Sequence, residues 1–446
     1  MKLYKNMSDS FSHRLSELNN LIQSCNANKM IYTNQMDTAM FINPIDSETE
    51  DTKTNTTSYR LGKKYKNFFD IVEKIGGKLT YVCSGASGHT FKGTIRENGK
   101  EKNYAVKVVA FPKKDTYGCD INDIKRPENA ELLMIRTLSY FVVKKHTPHI
   151  ILPYLTFNSS IQPFVSLIED GKISSRQHKY AEFVEKYKND DFRNEVSILI
   201  SEWANGGDLL DFLRKKFQEK KHKNEYILPV MFWKVIFFQI LSVLAVIQHK
   251  FKSFRHNDLK ANNILLEKIE STGRSELSQY VVVKKIYRVP KIGFRIKLWD
   301  FDFACIPGQV DNAKVEHKWT DKINVKPVQN RYYDIHFFFN TLINKSFASW
   351  IMNDRYTDPE VAEFINRVVP PKLRSEKYLV EKGKGRIRID KEYVLPKSLL
   401  ENDPFFEEFR NTKIIGRQKT EVDYKEDSES LSPTAIIASI KKKNYK

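Results

Sequence analysis

The run His256-Asn257-Asp258-Leu259-Lys260-Ala261-Asn262-Asn263 sets a carboxylate, a lysine and an amide at fixed offsets along one short segment. A further carboxylate follows in Trp299-Asp300-Phe301-Asp302. Phosphoryl transfer needs that inventory. Asp258 would orient an attacking hydroxyl and accept its proton, and Lys260 would neutralise the moving phosphoryl group. Asn263 and Asp300 would hold Mg²⁺, with Mn²⁺ an alternative, against the nucleotide phosphates. A chance polar loop could supply any one of these residues, but the joint spacing argues against chance.

Weaker signals precede this run. Cys83-Ser84-Gly85-Ala86-Ser87-Gly88 lies between two strand-like runs, and Gly85 and Gly88 would let the backbone approach phosphates. An ordinary hairpin turn reads the same. Ala105-Val106-Lys107 follows at strand spacing. A strand lysine usually faces water, so a phosphate-binding Lys107 requires a carboxylate on the next helix. Glu131 and Glu128 both qualify. Glu131 is preferred, because Leu132, Met134, Ile135 and Leu138 then pack the helix while Glu131 faces Lys107. Ile200 to Leu209 leaves a buried strand and enters a Gly206-Gly207 turn. Its backbone can meet an adenine edge at Glu202 and Ala204, and Asp208 can reach ribose hydroxyls or simply cap a helix. Ala105 and Leu265 complete the candidate ATP-binding set. Asp334 is read as a buried carboxylate taking backbone N–H bonds from the catalytic run, or as a plain helix cap.

The elements that must position these residues change character along the chain. Strand-like runs cover 79–83, 90–95, 104–110, 150–157 and 196–202, with a helix after Pro127 carrying Leu132, Ile135 and Leu138 on one face. From Val230 onward helices dominate, at 231–250, 333–346 and 358–369. This order predicts an α+β, two-lobed fold: an antiparallel-sheet lobe with one main helix over about 67–203, and a mostly helical lobe over about 204–416. Charged stretches at about 158–195 and 268–295 read as surface insertions. Residues 1–58 read as a disordered or loosely helical region, with Phe11, Leu15, Leu18 and Ile22 on a short helix face. Residues 417–446 read as a charged tail containing Ser432-Pro433. No internal repeat is visible.

The 446 residues suffice for one large two-lobed domain plus tails, or for two modest domains. The start MKLYKNMSDS lacks the apolar core of a signal peptide, and the run Val235 to Ile247 is too short to span a bilayer. Four scattered cysteines form no metal-type pair and read as free thiols of an intracellular protein. The net charge of +19 permits an acidic partner such as nucleic acid, an anionic membrane or an acidic protein substrate. Basic clusters lie at 214–223, 284–297 and 441–443, without an aromatic-interleaved RNA-binding signature.

Taken in order, these motifs resemble the protein kinase superfamily over roughly 67–410. The long separation of Asn263 from Asp300, the Asp300-Phe301-Asp302 motif, His317-Lys318-Trp319 and Tyr332-Tyr333-Asp334-Ile335-His336-Phe337-Phe338 look like the serine/threonine kinase family of poxvirus virions and related kinases of giant DNA viruses. The resemblance implies ATP-dependent phosphorylation of virion and assembly proteins, in the host cytoplasm and the virion. Three departures stand out. Asn257 replaces the arginine that usually precedes the catalytic aspartate and pairs with a phosphorylated activation loop. Asp302 replaces a glycine, which should hinder flipping of Phe301. No Ala-Pro-Glu occurs between Asp302 and Asp334. Ser201, at a position often filled by a bulkier side chain, predicts room for enlarged ATP analogues.

Two other functions share this chemistry. A choline- or aminoglycoside-type kinase uses the same base and metal ligands, but Lys260 and the Gly206-Gly207-Asp208 turn favour a protein substrate. A non-catalytic scaffold would bind nucleotide without turnover.

Overall fold

A computed structural model describes residues 65–410, apart from 76, 86–87, 98–99, 115–116, 119, 270–276, 375–385 and 388–390. The expected N-terminal helix face, the linker-like stretch Asn43 to Ser58, the charged tail, Cys25 and Cys119 lie outside the described residues.

The first half is built on a five-stranded antiparallel sheet. Strands β1 (Lys78–Ser84), β2 (His89–Glu97), β3 (Lys100–Pro112), β4 (Pro153–Ser160) and β5 (Phe192–Glu202) lie in the order β1-β2-β3-β5-β4. Central β3 pairs with β2 and β5, which sets Ala105 opposite Ser201 and Tyr104 opposite Glu202. Phe91, Val106, Val108, Phe157 and Ile198 form the sheet's core, closed by α1 (Phe68–Ile75) through Phe68 and Ile71.

Helix α2 (Pro127–Val143) starts at Pro127, where a missing N–H costs nothing. Its expected single apolar face proves too narrow a reading. Leu132, Leu133, Met134, Ile135 and Leu138 are all buried, because the helix touches β4, β5 and a long apolar helix at once. A helix covered on several sides has no solvent face to keep polar.

The 158–195 segment also departs from expectation. It folds into α3 (His178–Lys188), whose Tyr180, Phe183 and Val184 are buried. Tyr180 donates its hydroxyl to the Phe164 carbonyl at 2.8 Å and packs edge-on against Tyr81 and His89. The charged side chains of this stretch lie mostly on its outer surface, while Ile161, Phe164, Val165, Ile173, Tyr180, Phe183 and Val184 join the sheet core.

The second half is mostly helical: α4 (Leu209–Lys220), α5 (Val230–Lys250), α6 (Tyr333–Leu342), α7 (Pro359–Val368) and α8 (Pro396–Asn402). Asp208 caps α4 by accepting from the Asp211 N–H at 2.9 Å, and Asp358 caps α7 by accepting from Glu360 N–H at 3.0 Å. Helix α5 spans 21 residues and meets the length and apolarity of a membrane span, longer than the run read from sequence. It is a core helix, with 83% of its apolar window buried. Phe237 and Phe238 on it meet Phe364, Phe405, Tyr280 and Tyr287.

Two short ladders complete the fold. Strands β6 (Ile264–Lys268) and β9 (Phe294–Leu298) pair with each other, as do β7 (Leu277–Val282) and β8 (Lys285–Pro290). The described part of the 268–295 stretch is therefore a hairpin anchored on α5 by Tyr280 and Tyr287, with Leu277, Val281 and Ile286 exposed on its other side. Cys83 is exposed and Cys305 buried, both as free thiols.

Candidate functional site

Strand β3 carries Lys107 into the protein interior, where it is only 6% exposed. Its Nζ lies 2.6 Å from Glu131 Oε1 on α2 and 3.1 Å from Asp300 Oδ1 after β9. The alternative partner, Glu128, pairs with the buried Arg126 at 3.2 Å. Burial alone would lower the Lys107 pKa, but the Glu131 and Asp300 carboxylates outweigh it and hold the ammonium charged. Burial pushes Glu131 up against the pull of Lys107. At Asp300 burial works in the same upward direction, yet Lys107 prevails and holds the carboxyl below the usual range. An unpaired lysine here would carry a desolvation penalty of several kcal/mol, so the two carboxylates are what permit it to stay buried.

The Gly85 N–H donates to the Gly88 carbonyl at 2.8 Å, closing the turn between β1 and β2. A Cβ at Gly88 would stand 2.4 Å from the Val108 carbonyl oxygen, so only glycine lets this turn settle onto β3. Ser201 is fully buried opposite Ala105. The Glu202 carboxylate accepts from the Leu152 N–H at 2.8 Å and from Lys297 Nζ at 3.1 Å. Any role left to Glu202 at a nucleotide is therefore a main-chain one. Ala204 is buried, and Gly206 donates to the Leu266 carbonyl at 2.7 Å, fastening this segment to β6. Asp208 bridges to Leu265 and caps α4, and burial raises its pKa.

The run 256–263 is a largely irregular loop between α5 and β6, pinned from three sides. Asp334, fully buried on α6, accepts from the His256 N–H at 2.8 Å and the Asn257 N–H at 2.9 Å. Burial raises its carboxyl, and the His256 ring and those N–H bonds pull it back. His256 Nε2 meets the Trp299 carbonyl at 3.1 Å, which ties the loop to the chain segment carrying Asp300. Asn257 and Asp300 both take positive φ, 63° and 62°, a region asparagine and aspartate tolerate better than bulkier residues. Asn257 Nδ2 donates to the Phe303 carbonyl at 2.9 Å.

Asp258 is held by its neighbours in the motif. Lys260 Nζ lies 2.8 Å from Asp258 Oδ2. Asn263 Nδ2 donates to the same oxygen at 3.0 Å and to the Asp258 carbonyl at 2.9 Å. That commits the Asn263 nitrogen, so its oxygen is the atom that could meet a metal ion. One amide oxygen and one carboxylate form an oxygen-only pair of ligands, which suits Mg²⁺ that keeps waters and phosphate oxygens as its other ligands. Among the described residues there is no group of three His, Cys, Asp or Glu side chains arranged for a metal ion.

Asp302 does not take positive φ, so its backbone needs no glycine. Its carboxylate pairs with Lys314, and its carbonyl accepts from Asn312 Nδ2 at 3.0 Å. Phe301 is buried with its ring 5.2 Å from that of His256.

Three basic residues were not legible as site residues. Lys297, counted in a basic cluster, is 1% exposed and pairs with Glu202 and Glu267. Alternation with Ile296 and Leu298 reads Lys297 as solvent-facing; instead the Glu202 and Glu267 carboxylates meet it in the interior. Arg255 stacks on Tyr333 at 3.9 Å and donates to the carbonyls of Asn324 and Val328 at 3.1 and 3.2 Å. Arg386 donates from Nη2 to Asp258 Oδ1 at 2.7 Å across 128 positions of sequence, an encounter no local pattern announces.

Comparison with known proteins agrees with this geometry. Residues 180–406 match the family described as "Poxvirus serine/threonine protein kinase". The chain is 43% identical over 364 residues to "Putative serine/threonine-protein kinase R400" of Acanthamoeba polyphaga mimivirus, covering 80% of this chain and 75% of that protein. It is 25% identical over 328 residues to "Putative serine/threonine-protein kinase R301" of the same virus, covering 68% and 78% respectively. The chain belongs to the poxvirus serine/threonine protein kinase family.

Proposed function

We propose that this protein is an ATP-dependent serine/threonine protein kinase of viral origin, acting on protein substrates inside the host cell. The observation that carries this reading is the placement of Lys107 Nζ between Glu131 and Asp300, residues from three separate elements gathered beside the Asp258 loop. In this reading the sheet half forms the nucleotide-side lobe and the helical half the substrate-side lobe.

Lys107, held charged and fixed by Glu131, binds the nucleotide phosphates. The Gly85–Gly88 turn covers them with backbone N–H groups, and Ala105, Leu265 and the 202–204 backbone receive the base. Asp258 orients the substrate hydroxyl and takes its proton as the bond to phosphorus forms. Lys260 balances the charge that then builds on the transferred group. Asn263 and Asp300 supply the protein oxygens for Mg²⁺, which neutralises phosphate charge when bound. Acidic protein surfaces are the partners we infer from the net positive charge.

The test uses labelled ATP and Mg²⁺ with the full chain, alone, with casein and with choline. Protein labelling that falls at least ~10²-fold in both Asp258→Ala and Asp300→Ala is the expected result. Labelling of choline in place of protein would move the assignment to a small-molecule kinase. Nucleotide binding with no transfer to any acceptor would make the protein a scaffold.

A further inference from the structure

We propose that Arg386 is a positioning residue for the base Asp258, reaching it from far along the chain. The inference rests on the kinase reading above. Asp258 uses its two carboxylate oxygens differently. Oδ2 faces Lys260 at 2.8 Å and Asn263 at 3.0 Å. Among the described residues, Oδ1 accepts from Arg386 Nη2 alone, at 2.7 Å.

The guanidinium is itself built into the protein. Nη1 donates to the Asn257 carbonyl and, at 3.1 Å, to the Tyr333 hydroxyl. Its Cζ lies over the Phe337 ring, 4.4 Å from the centroid, and the residue is 7% exposed. One rigid fork therefore bonds the loop backbone, an α6 side chain and the catalytic carboxylate together. A planar guanidinium can do this; a lysine ammonium on a flexible stem cannot span the same acceptors. With Oδ1 held, rotation about the Asp258 side chain is stopped, and Oδ2 stays on the side where Lys260 marks the transferring group. Asn257 does not hold Asp258: its Nδ2 donates to the Phe303 carbonyl and lies 3.6 Å from Cys305 Sγ, and its Oδ1, an acceptor, cannot bond a carboxylate.

The assay compares wild type with Arg386→Ala, Arg386→Lys and Arg386→Met, measuring kcat and KM for ATP with casein as acceptor. Arg386→Ala should lower kcat by roughly 10²-fold while KM for ATP moves less than about twofold, since a misaimed base loses rate and not nucleotide. Guanidinium ion at ~10–20 mM should restore part of the lost kcat in Arg386→Ala and none in Arg386→Met, whose side chain fills the space. Arg386→Lys should recover little. Unchanged kcat in Arg386→Ala would overturn the assignment. A rise in kcat would also overturn it, and would make Arg386 a plug on the base. If Arg386→Ala does not fold, Arg386→Met keeps packing against Phe337, and an unimpaired kcat in that variant refutes the proposal equally. A wild-type protein that transfers phosphate to nothing ends the kinase reading and this proposal with it. Active wild type with indifferent Arg386 variants ends the proposal alone.

Discussion

At the scale of single residues the site is governed by charges that are tolerable only in company. Lys107, Glu131 and Asp300 are each costly to bury alone, and removal of one partner typically costs about 3–5 kcal/mol. Lys107→Met should therefore abolish transfer and also destabilise the fold. The pH dependence of that loss is specific. Without Lys107 nothing opposes the burial that already pushes Glu131 up. A carboxyl with a raised folded pKa binds its proton more tightly in the folded chain, so its contribution is full at low pH and fades as pH rises through that pKa. Lys107→Met should consequently melt at lower temperature at pH 8 than at pH 6, measured by thermal unfolding at both values. Equal melting at the two pH values would mean Glu131 finds another cation. Ser201 makes a second prediction at this scale. It is fully buried beside Ala105, so Ser201→Met should abolish use of ATP analogues enlarged on the adenine amino group while sparing ATP itself. Retention of the analogue by Ser201→Met would count against the pocket.

At the scale of elements, much of the frame could be read in advance because its cause is local. The strand at Lys107, the helix after Pro127 and the loop after α5 follow from alternation, a helix-starting proline and an apolar run. Asp334 was legible for the same reason, since a carboxylate opening an apolar helix has few uses beyond accepting backbone N–H groups. Segment 158–195 was misread because its charges outnumber its aromatics, although the aromatics decide the packing. Phe183 lies buried against His89 with ring centroids 4.4 Å apart. Phe183→Ala should thus cost about 3–5 kcal/mol in a urea titration, the range for a buried phenylalanine. A cost below ~1 kcal/mol would return the segment to the solvent. Arg386 and Arg255 could not be read at all. Both make side-chain contacts across long sequence separations, and position 386 sits in the lysine- and glycine-rich run Lys382-Gly383-Lys384-Gly385-Arg386, which has the composition of a solvated loop.

At the scale of the whole molecule, two buried histidines tie stability to acidity. His89 and His336 are both pushed down to about 4 by burial. A histidine with a lowered folded pKa stays neutral in the fold while the unfolded chain takes up protons below pH about 6.5. Stability is therefore intact near pH 7 and falls as pH drops toward 4, by up to roughly 3 kcal/mol for each group. Urea midpoints at pH 7 and pH 5 measure this, and His336→Gln should flatten the slope. Helix α5 adds a consequence of another kind. It is as oily as a bilayer segment, hidden only because the rest of the protein wraps around it. Once heat strips that wrapping away, neighbouring chains compete to cover the same surface, and clumping outruns recovery. Calorimetric traces should then shift upward as the heating ramp is made faster, and a second scan of the same sample should be blank.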